Sequence, residues 1–116
     1  MTLLTRIATA VTVSVIAFPA LAATQGEIRA ALVGNTFQGD MGGGGYSSYF
    51  AEDGTYYDAS GSGPYEIIDE GVCYPDTDFG CYQAKIDGTS LEWIKDGESA
   101  GFGELLDGDI LDLMAQ

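Results

Sequence analysis

The tyrosines are the side chains of this sequence best suited to form a binding site. All seven lie between Tyr46 and Tyr82, and because a buried tyrosine must hydrogen-bond its hydroxyl, several are expected at a surface or a cavity. Aromatic faces beside carboxylates suit cations such as quaternary amines, sugar rings or a protein partner. We predict such a site at Tyr46, Tyr49, Tyr56 and Tyr57, which fall on two adjoining predicted strands. The alternative is core packing with scattered surface rings.

Two aspartates form a second candidate site, for a metal ion. Asp76 and Asp78 lie in the segment between the two cysteines, and hard oxygen ligands on a turn can bind calcium. The segment lacks the full EF-hand pattern, and aspartate commonly caps turns and hydrates loops. The hypothesis is therefore that this loop binds calcium weakly, and otherwise no cofactor is expected.

Catalytic side chains are sparse. The chain has no histidine, so a serine nucleophile would need a lysine or a carboxylate as its base. The acidic pairs at 52–53 and 69–70 consist of adjacent residues, which point to opposite faces of a strand. The glycine run at 42–45 is followed by no lysine and no helix start, as a phosphate-binding loop would require. We expect a protein that is not an enzyme.

The two cysteines, Cys73 and Cys81, are predicted to form a disulfide. An even count in a small exported domain favours a covalent staple. A zinc site is the alternative, but it would need four ligands, and the chain has no histidine and no third cysteine.

The N-terminus predicts export. Arg6 is followed by an uncharged, largely apolar stretch that ends at Pro19, and the Ala20-Leu21-Ala22 sequence fits signal-peptide cleavage. The stretch is shorter than the ~18 to 20 residues of a membrane span. We therefore predict a signal peptide at 1–22, a single β domain at 23–116 with no membrane anchor after processing, and location in the periplasm or outside the cell.

The charge balance limits the possible partners. The sequence has 18 acidic and 4 basic residues, for a net charge of −14. Nucleic acids are excluded because phosphate binding needs a basic footprint. A cationic protein or a small cation would be attracted. The alternative is that the carboxylates only hydrate the surface, where salt screens their repulsion.

The sequence pattern favours an all-β fold after one short helix. Thr24 and Glu27 have capping-box spacing, and Gly34 is placed to end the helix. Alternating short runs then predict strands at 35–39, 46–51, 55–59, 65–70, 72–74, 81–86, 90–94, 101–106 and 110–113. Asp-Gly pairs at 53–54, 87–88, 96–97 and 107–108 predict hairpin turns. We predict a small antiparallel meander of seven to nine strands that closes into a barrel, lipocalin- or avidin-like in architecture, or folds into a sandwich.

Period-two alternation also predicts which side chains face inward. Tyr65 and Ile67 share one face, and charged or amide side chains occupy the opposite positions. The inward set continues with Tyr82, Ala84, Ile86, Leu91 and Trp93, and Phe102 and Leu106 are apolar candidates flanked by glycines.

Several short motifs resemble a group of small exported alphaproteobacterial proteins, mostly of unknown function. The motifs are LVGNT at 32–36, YFAEDGT at 49–55, Cys-Tyr at 73–74 and 81–82, and the segment 101–106. The similar proteins often carry tryptophan where this chain has Ile67. The resemblance covers nearly all of the mature chain and implies a small β-rich fold without indicating an activity.

The predicted function is a non-catalytic exported module that binds a small apolar or cationic molecule. One alternative is a protein-interaction domain that inhibits a cationic hydrolase, because exported lysozyme inhibitors are also small, acidic, β-rich and disulfide-bonded. One family of them carries Ser-Gly-x-x-Tyr, from which the segment 60–65 differs by one residue in spacing. Its contact loop would be 74–80. The other alternative is an acidic structural protein without a specific ligand.

Overall fold

Within residues 22–116, one α-helix precedes the strands. The computed structural model describes residues 22–116, and the predicted signal peptide otherwise lies outside them. Helix α1 spans Gln25–Leu32, and Thr24 caps it with both halves of the capping box formed. Ile28 and Leu32 are fully buried. Gly34, with φ of +82°, turns the chain out of the helix, as expected of a residue without a Cβ.

Nine antiparallel strands follow and form a nearly closed barrel. Their order around the sheet is β4-β3-β2-β1-β9-β8-β7-β6-β5. Sequential strands are therefore paired except for β4 and β5, and the first strand pairs with the last, as in an up-and-down barrel. The strands are β1 Asn35–Asp40, β2 Gly45–Phe50, β3 Thr55–Asp58, β4 Gly61–Pro64, β5 Glu66–Ile68, β6 Gly71–Tyr74, β7 Gly80–Asp87, β8 Ser90–Lys95 and β9 Glu98–Asp107.

One bent segment closes the barrel. Strands β4 and β5 are separated by Tyr65 alone, and the antiparallel pairings require both to run in the same direction. The first half of this segment pairs with β3 and the second half with β6. The Tyr65 amide continues the first pairing by donating to the Gly54 carbonyl at 2.9 Å. The edges of the sheet therefore end in one shared strand, which leaves little edge to aggregate.

The helix and the hairpins define two ends of the barrel. Helix α1 leads directly into β1 and contacts β1 and β5. The Gln25 side-chain amide donates to the Ile67 carbonyl at 3.0 Å, which gives this backbone carbonyl of β5 a hydrogen-bond partner. The β1–β2, β6–β7 and β8–β9 connections therefore lie at the opposite end, which we call the mouth.

The interior confirms the predicted inward face. The residues predicted to face inward from β7 and β8, together with Tyr65 and Ile67, belong to the buried core or pack against it. Phe102 and Leu106 are exceptions, because β9 turns Gly101 and Leu105 inward. Phe102 is 67% exposed, and Leu106 is only partly buried and lies outside the core cluster. Strands β1 and β9 approach so closely at the Gly39–Gly103 pair that neither position has room for a Cβ.

Three local predictions were wrong. Strand β4, Gly61–Pro64, was not expected because its sequence is rich in glycine and serine and ends in proline. The segment 110–113 is not a strand, and the chain ends instead in a 3₁₀ helix, Leu113–Ala115, whose first amides bind the Asp109 carboxylate. The fourth Asp-Gly pair, at 107–108, ends β9 rather than forming a hairpin.

The predicted disulfide is present. Cys73 and Cys81 are directly opposite each other on β6 and β7, and their sulfur atoms are bonded. Disulfides are typical of compartments outside the cytoplasm. Within residues 22–116, no helix is both long enough and apolar enough to cross a membrane.

Candidate ligand cavity

A cavity of about 270 Å³ occupies the mouth of the barrel. It is larger than an engineered cavity of about 150 Å³ that is known to bind benzene. We call it the mouth cavity, and its lining is Met41, Tyr46, Ser48, Tyr74, Phe79, Tyr82, Trp93 and Ala100. Five of these eight residues are aromatic, and none carries a formal charge. The site therefore offers ring faces with few polar groups.

The aromatic rings form one continuous network. Near the mouth, the rings of Tyr56, Tyr74 and Phe79 pack edge to face, with centroids 5.4 to 6.2 Å apart. The Tyr82 ring links this group to Trp93, with 6.2 Å between centroids on each side. These spacings fall in the favourable range for aromatic pairs. The network holds the ring positions around the mouth cavity.

The β6–β7 loop covers one side of the mouth cavity. The disulfide fixes the two strands at its base. Inside the loop, the Thr77 hydroxyl donates to the Tyr74 carbonyl at 2.6 Å and accepts from the Phe79 amide at 3.1 Å. Lys95 reaches across from β8 and donates to the Phe79 carbonyl. These bonds hold Phe79, which is 43% exposed, at the cavity wall.

A buried carboxylate lies behind Tyr46. The Tyr46 hydroxyl donates to Asp58 at 2.8 Å, and Asp58 also accepts from the Ser60 amide and hydroxyl, both at 2.9 Å. Burial raises the pKa of Tyr46 well above its usual value, the Asp58 hydrogen bond and charge add to the rise, and the nearby Ser48 hydroxyl opposes it. Tyr46 therefore stays protonated at neutral pH and directs its proton away from the cavity.

Tyr74 presents a hydroxyl without a partner. Within the part of the chain that the structure describes, no hydrogen bond to this hydroxyl is formed. Burial raises the pKa of Tyr74 well above its usual value, and the neighbouring phenols of Tyr46, Tyr82, Tyr56 and Tyr65 act in the same direction. Tyr74 is partly buried and lines the mouth cavity, so its protonated hydroxyl is a donor that water or a ligand oxygen can accept from.

The four tyrosines predicted as one site lie on two faces. Tyr46 lines the mouth cavity, and Tyr56 is buried against Tyr74 behind it. Tyr49 and Tyr57 are directly opposite each other on β2 and β3 and face outward. Side chains alternate along a strand, so Tyr56 and Tyr57 cannot share a face. The inner pair belongs to the cavity region and the outer pair does not.

The aspartates of the predicted calcium site do not converge with other ligands. Asp76 and Asp78 are both exposed in the β6–β7 loop. Across residues 22–116, no group of three or more acidic, histidine or cysteine side chains is arranged to hold a metal ion. The loop is organised by Thr77 instead.

Sequence reasoning did not assign Tyr74, Tyr82 or Phe79 to the ligand site. It placed Tyr74 and Phe79 only in the 74–80 contact loop of the inhibitor alternative, and Tyr82 only on the inward face. The signal was present, because Tyr74 and Tyr82 each follow a cysteine of the disulfide. Two cysteines bonded across neighbouring strands share one face, so the residue after each must point to the other face. Trp93 was expected only in the core, yet its ring also lines the mouth cavity.

The raised tyrosine pKa values predict loss of stability in alkali. The pKa is raised in the folded state at Tyr46, Tyr74, Tyr56 and Tyr65, against about 10 in an unfolded chain. Their contribution is complete below pH ~10 and is lost as the pH rises from there toward the folded values. Urea unfolding from about pH 8 to 11 should show a falling free energy of unfolding, with a shallower fall for Tyr46→Phe. A flat profile would contradict the assignment.

Comparison of the chain with protein-family models, curated protein sequences and solved structures gave no match. Its function must therefore be inferred from the mouth cavity and the groups around it.

Proposed function

We propose that the mature chain is an exported, non-catalytic binding module that holds a small organic molecule in the mouth cavity. The observation that carries this proposal is the aromatic lining of a cavity of about 270 Å³. Ligand pockets are typically lined by apolar and aromatic side chains with a few placed polar groups. Export to the periplasm or the medium is supported by the predicted signal peptide and by the disulfide.

An unfilled cavity is unexpected in a domain of this size unless it serves a purpose. Small domains have marginal cores, and each unfilled volume forfeits packing contacts. Toward the opposite end of the barrel, Ile28, Leu32 and Phe37 are fully buried. The interior is therefore packed around these side chains, whereas the mouth keeps a cavity that a ligand can enter.

The polar groups at the site favour binding over catalysis. Tyr46 and Tyr74 both have raised pKa values, so neither phenol is a ready base at neutral pH. Asp58 already accepts three hydrogen bonds from Tyr46 and Ser60. The unpartnered Tyr74 hydroxyl instead provides one donor that can orient a ligand oxygen.

A cavity-filling variant tests the proposal. Ala100 lines the mouth cavity from β9, so Ala100→Phe should occupy the space that a ligand would use. One- and two-ring compounds are screened by saturation-transfer NMR, and Trp93, the only tryptophan, gives a second readout by fluorescence. We expect binders to the wild type that Ala100→Phe loses while it keeps its fold. If no compound binds in an Ala100→Phe-sensitive way, the proposed function is wrong.

A protein partner is the second candidate, supported by the exposed Phe79 ring. This ring lies in the loop that the disulfide closes, near the exposed Asp76 and Asp78. The near-match to the lysozyme-inhibitor motif does not support this candidate, because the Tyr65 hydroxyl donates to the Ala51 carbonyl inside the core at 2.6 Å. Dose-dependent inhibition of a cationic lysozyme that Phe79→Ala abolishes would favour the partner. Unchanged lysozyme activity would exclude this partner class.

A further inference from the structure

We propose that the ligand of the mouth cavity is a small organic cation with a substituted ammonium group. This inference rests on the proposed function and specifies its ligand class. It is carried by two independent observations, the aromatic lining of the cavity and a buried carboxylate directly behind that lining.

Among the described residues, the buried carboxylate has no counter-ion. Asp58 is only 7% exposed, and its hydrogen-bond donors, Tyr46 and Ser60, are neutral. Throughout residues 22–116, no lysine or arginine contacts it. Burying a charge is costly unless an opposite charge compensates it. A cation in the mouth cavity would lie across the Tyr46 side chain from Asp58 and offset part of that charge.

Tyr46 is oriented to transmit the negative charge to the cavity. Its proton points to Asp58, and its side chain lines the cavity, so the Tyr46 ring is the part of this residue that a cation can contact. The faces of aromatic rings attract cations within about 6 Å of the ring centroid. Five rings line this cavity, and substituted ammonium groups are the cations that such rings bind best, because their own hydration is weak.

Lys95 shows that this network accepts a cation. Its ammonium nitrogen lies 4.5 Å from the centroid of the Tyr82 ring at the rim of the site. The same ammonium is held by the Phe79 carbonyl, so it covers the rim and does not line the cavity. A bound cation would be repelled by this single lysine, which makes Lys95 a sensitive probe of ligand charge.

An anionic ligand does not fit this environment. The chain has a net charge of −14, and anions would be repelled on approach. Tyr74 offers one donor hydroxyl, which suits the hydroxyl, ether or carbonyl oxygen of a cation that carries one. A neutral apolar ligand fits the rings but leaves Asp58 uncompensated, and it is the alternative that the experiment separates.

The test compares choline with 3,3-dimethylbutan-1-ol, its uncharged analogue of the same shape. Binding is measured by calorimetry and by the fluorescence of Trp93, with the chain in its disulfide-bonded form. We expect choline to bind at least about tenfold more tightly than the neutral analogue. Equal affinities would overturn the cation proposal and leave the proposed function standing. If the wider screen finds no compound whose binding Ala100→Phe abolishes, the proposed function itself is overturned.

Two variants separate charge from shape. Asp58→Asn should weaken choline binding about tenfold or more and leave the neutral analogue unchanged. Lys95→Gln keeps Asp58 intact and keeps a side-chain donor for the Phe79 carbonyl, so it should strengthen choline binding by about threefold. The matched control is Lys85→Gln, which makes the same change in net charge on β7 outside the cavity lining. If Lys95→Gln and Lys85→Gln change choline affinity equally, the bound charge is not in the mouth cavity.

Discussion

Tyr56→Ala is expected to lower the free energy of unfolding by about 3 kcal/mol, whereas Tyr57→Ala lowers it by less than about 1 kcal/mol. The two tyrosines are adjacent on β3, so their backbone setting and chemistry are matched. They differ only in the face of the sheet to which their side chains point. Tyr56 is 7% exposed and packs against Tyr74 and Phe79, while Tyr57 faces outward opposite Tyr49.

The large cost at Tyr56 has a second source across the strand pair. The Tyr56 ring lies over Gly63, where an added Cβ would come within 2.9 Å of the ring. An aromatic ring over a glycine in a neighbouring strand replaces the missing side chain and stabilises the pairing. Tyr56→Ala would therefore open a void beside β4 and weaken the segment that closes the barrel. Tyr57 has Ser62 as its partner and protects no such gap.

Urea unfolding followed by circular dichroism measures both variants under one set of conditions. Similar losses for the two would mean that the face assignment on β3 is wrong. Choline and its neutral analogue should also bind Tyr57→Ala as well as they bind the wild type. If Tyr57→Ala keeps its fold but loses this binding, the outward-facing tyrosines Tyr49 and Tyr57 belong to the ligand site after all.

The class of fold was predictable because two local signals agreed. Capping-box spacing at Thr24 and Glu27 indicated the helix, and both bonds are formed. The Asp-Gly pair at 96–97 makes the tight turn between β8 and β9, with positive φ at both Asp96 and Gly97. The choice between barrel and sandwich was not predictable, because it depends on the pairing of β1 with β9, residues far apart in the sequence.

The candidate site was only half predictable for the same reason. Alternation along β3 already separates Tyr56 from Tyr57, so the four-tyrosine hypothesis was too broad on local grounds alone. The mouth cavity also needs Tyr74 and Phe79, which come from β6 and the β6–β7 loop, at the other end of the strand order from β3. These residues meet Tyr56 only because the β4–β5 segment closes the barrel. That segment contains β4, which was not predicted because its sequence is rich in glycine and serine.

Removing the disulfide with Cys73→Ser and Cys81→Ser together is expected to lower the free energy of unfolding by about 2.5 kcal/mol. The bond joins residues 8 apart in the sequence, and loop-closure entropy for a loop this short gives that value. A domain of this size has about 5 to 14 kcal/mol in total. The melting temperature should therefore fall by about 10 to 20 °C.

A reducing agent provides the matched control. It should lower the urea midpoint of the wild type to that of the double variant and leave the variant unchanged, because both serines are inert to reduction. An unchanged midpoint in the double variant would mean that the β6–β7 pairing is stable without the bond. The double substitution is preferable to a single one, since a lone cysteine could form a bond between chains.

The same variant tests whether the disulfide also supports the ligand site. Both cysteines face away from the cavity, so serine at these positions changes no lining residue. The bond nevertheless fixes the base of the loop that places Phe79 at the cavity wall. Without it, Thr77 and Lys95 alone hold the loop. Choline should then dissociate faster from the folded double variant while its association rate changes little, because a looser wall weakens contacts made after entry. Equal dissociation rates would confine the disulfide to a role in stability.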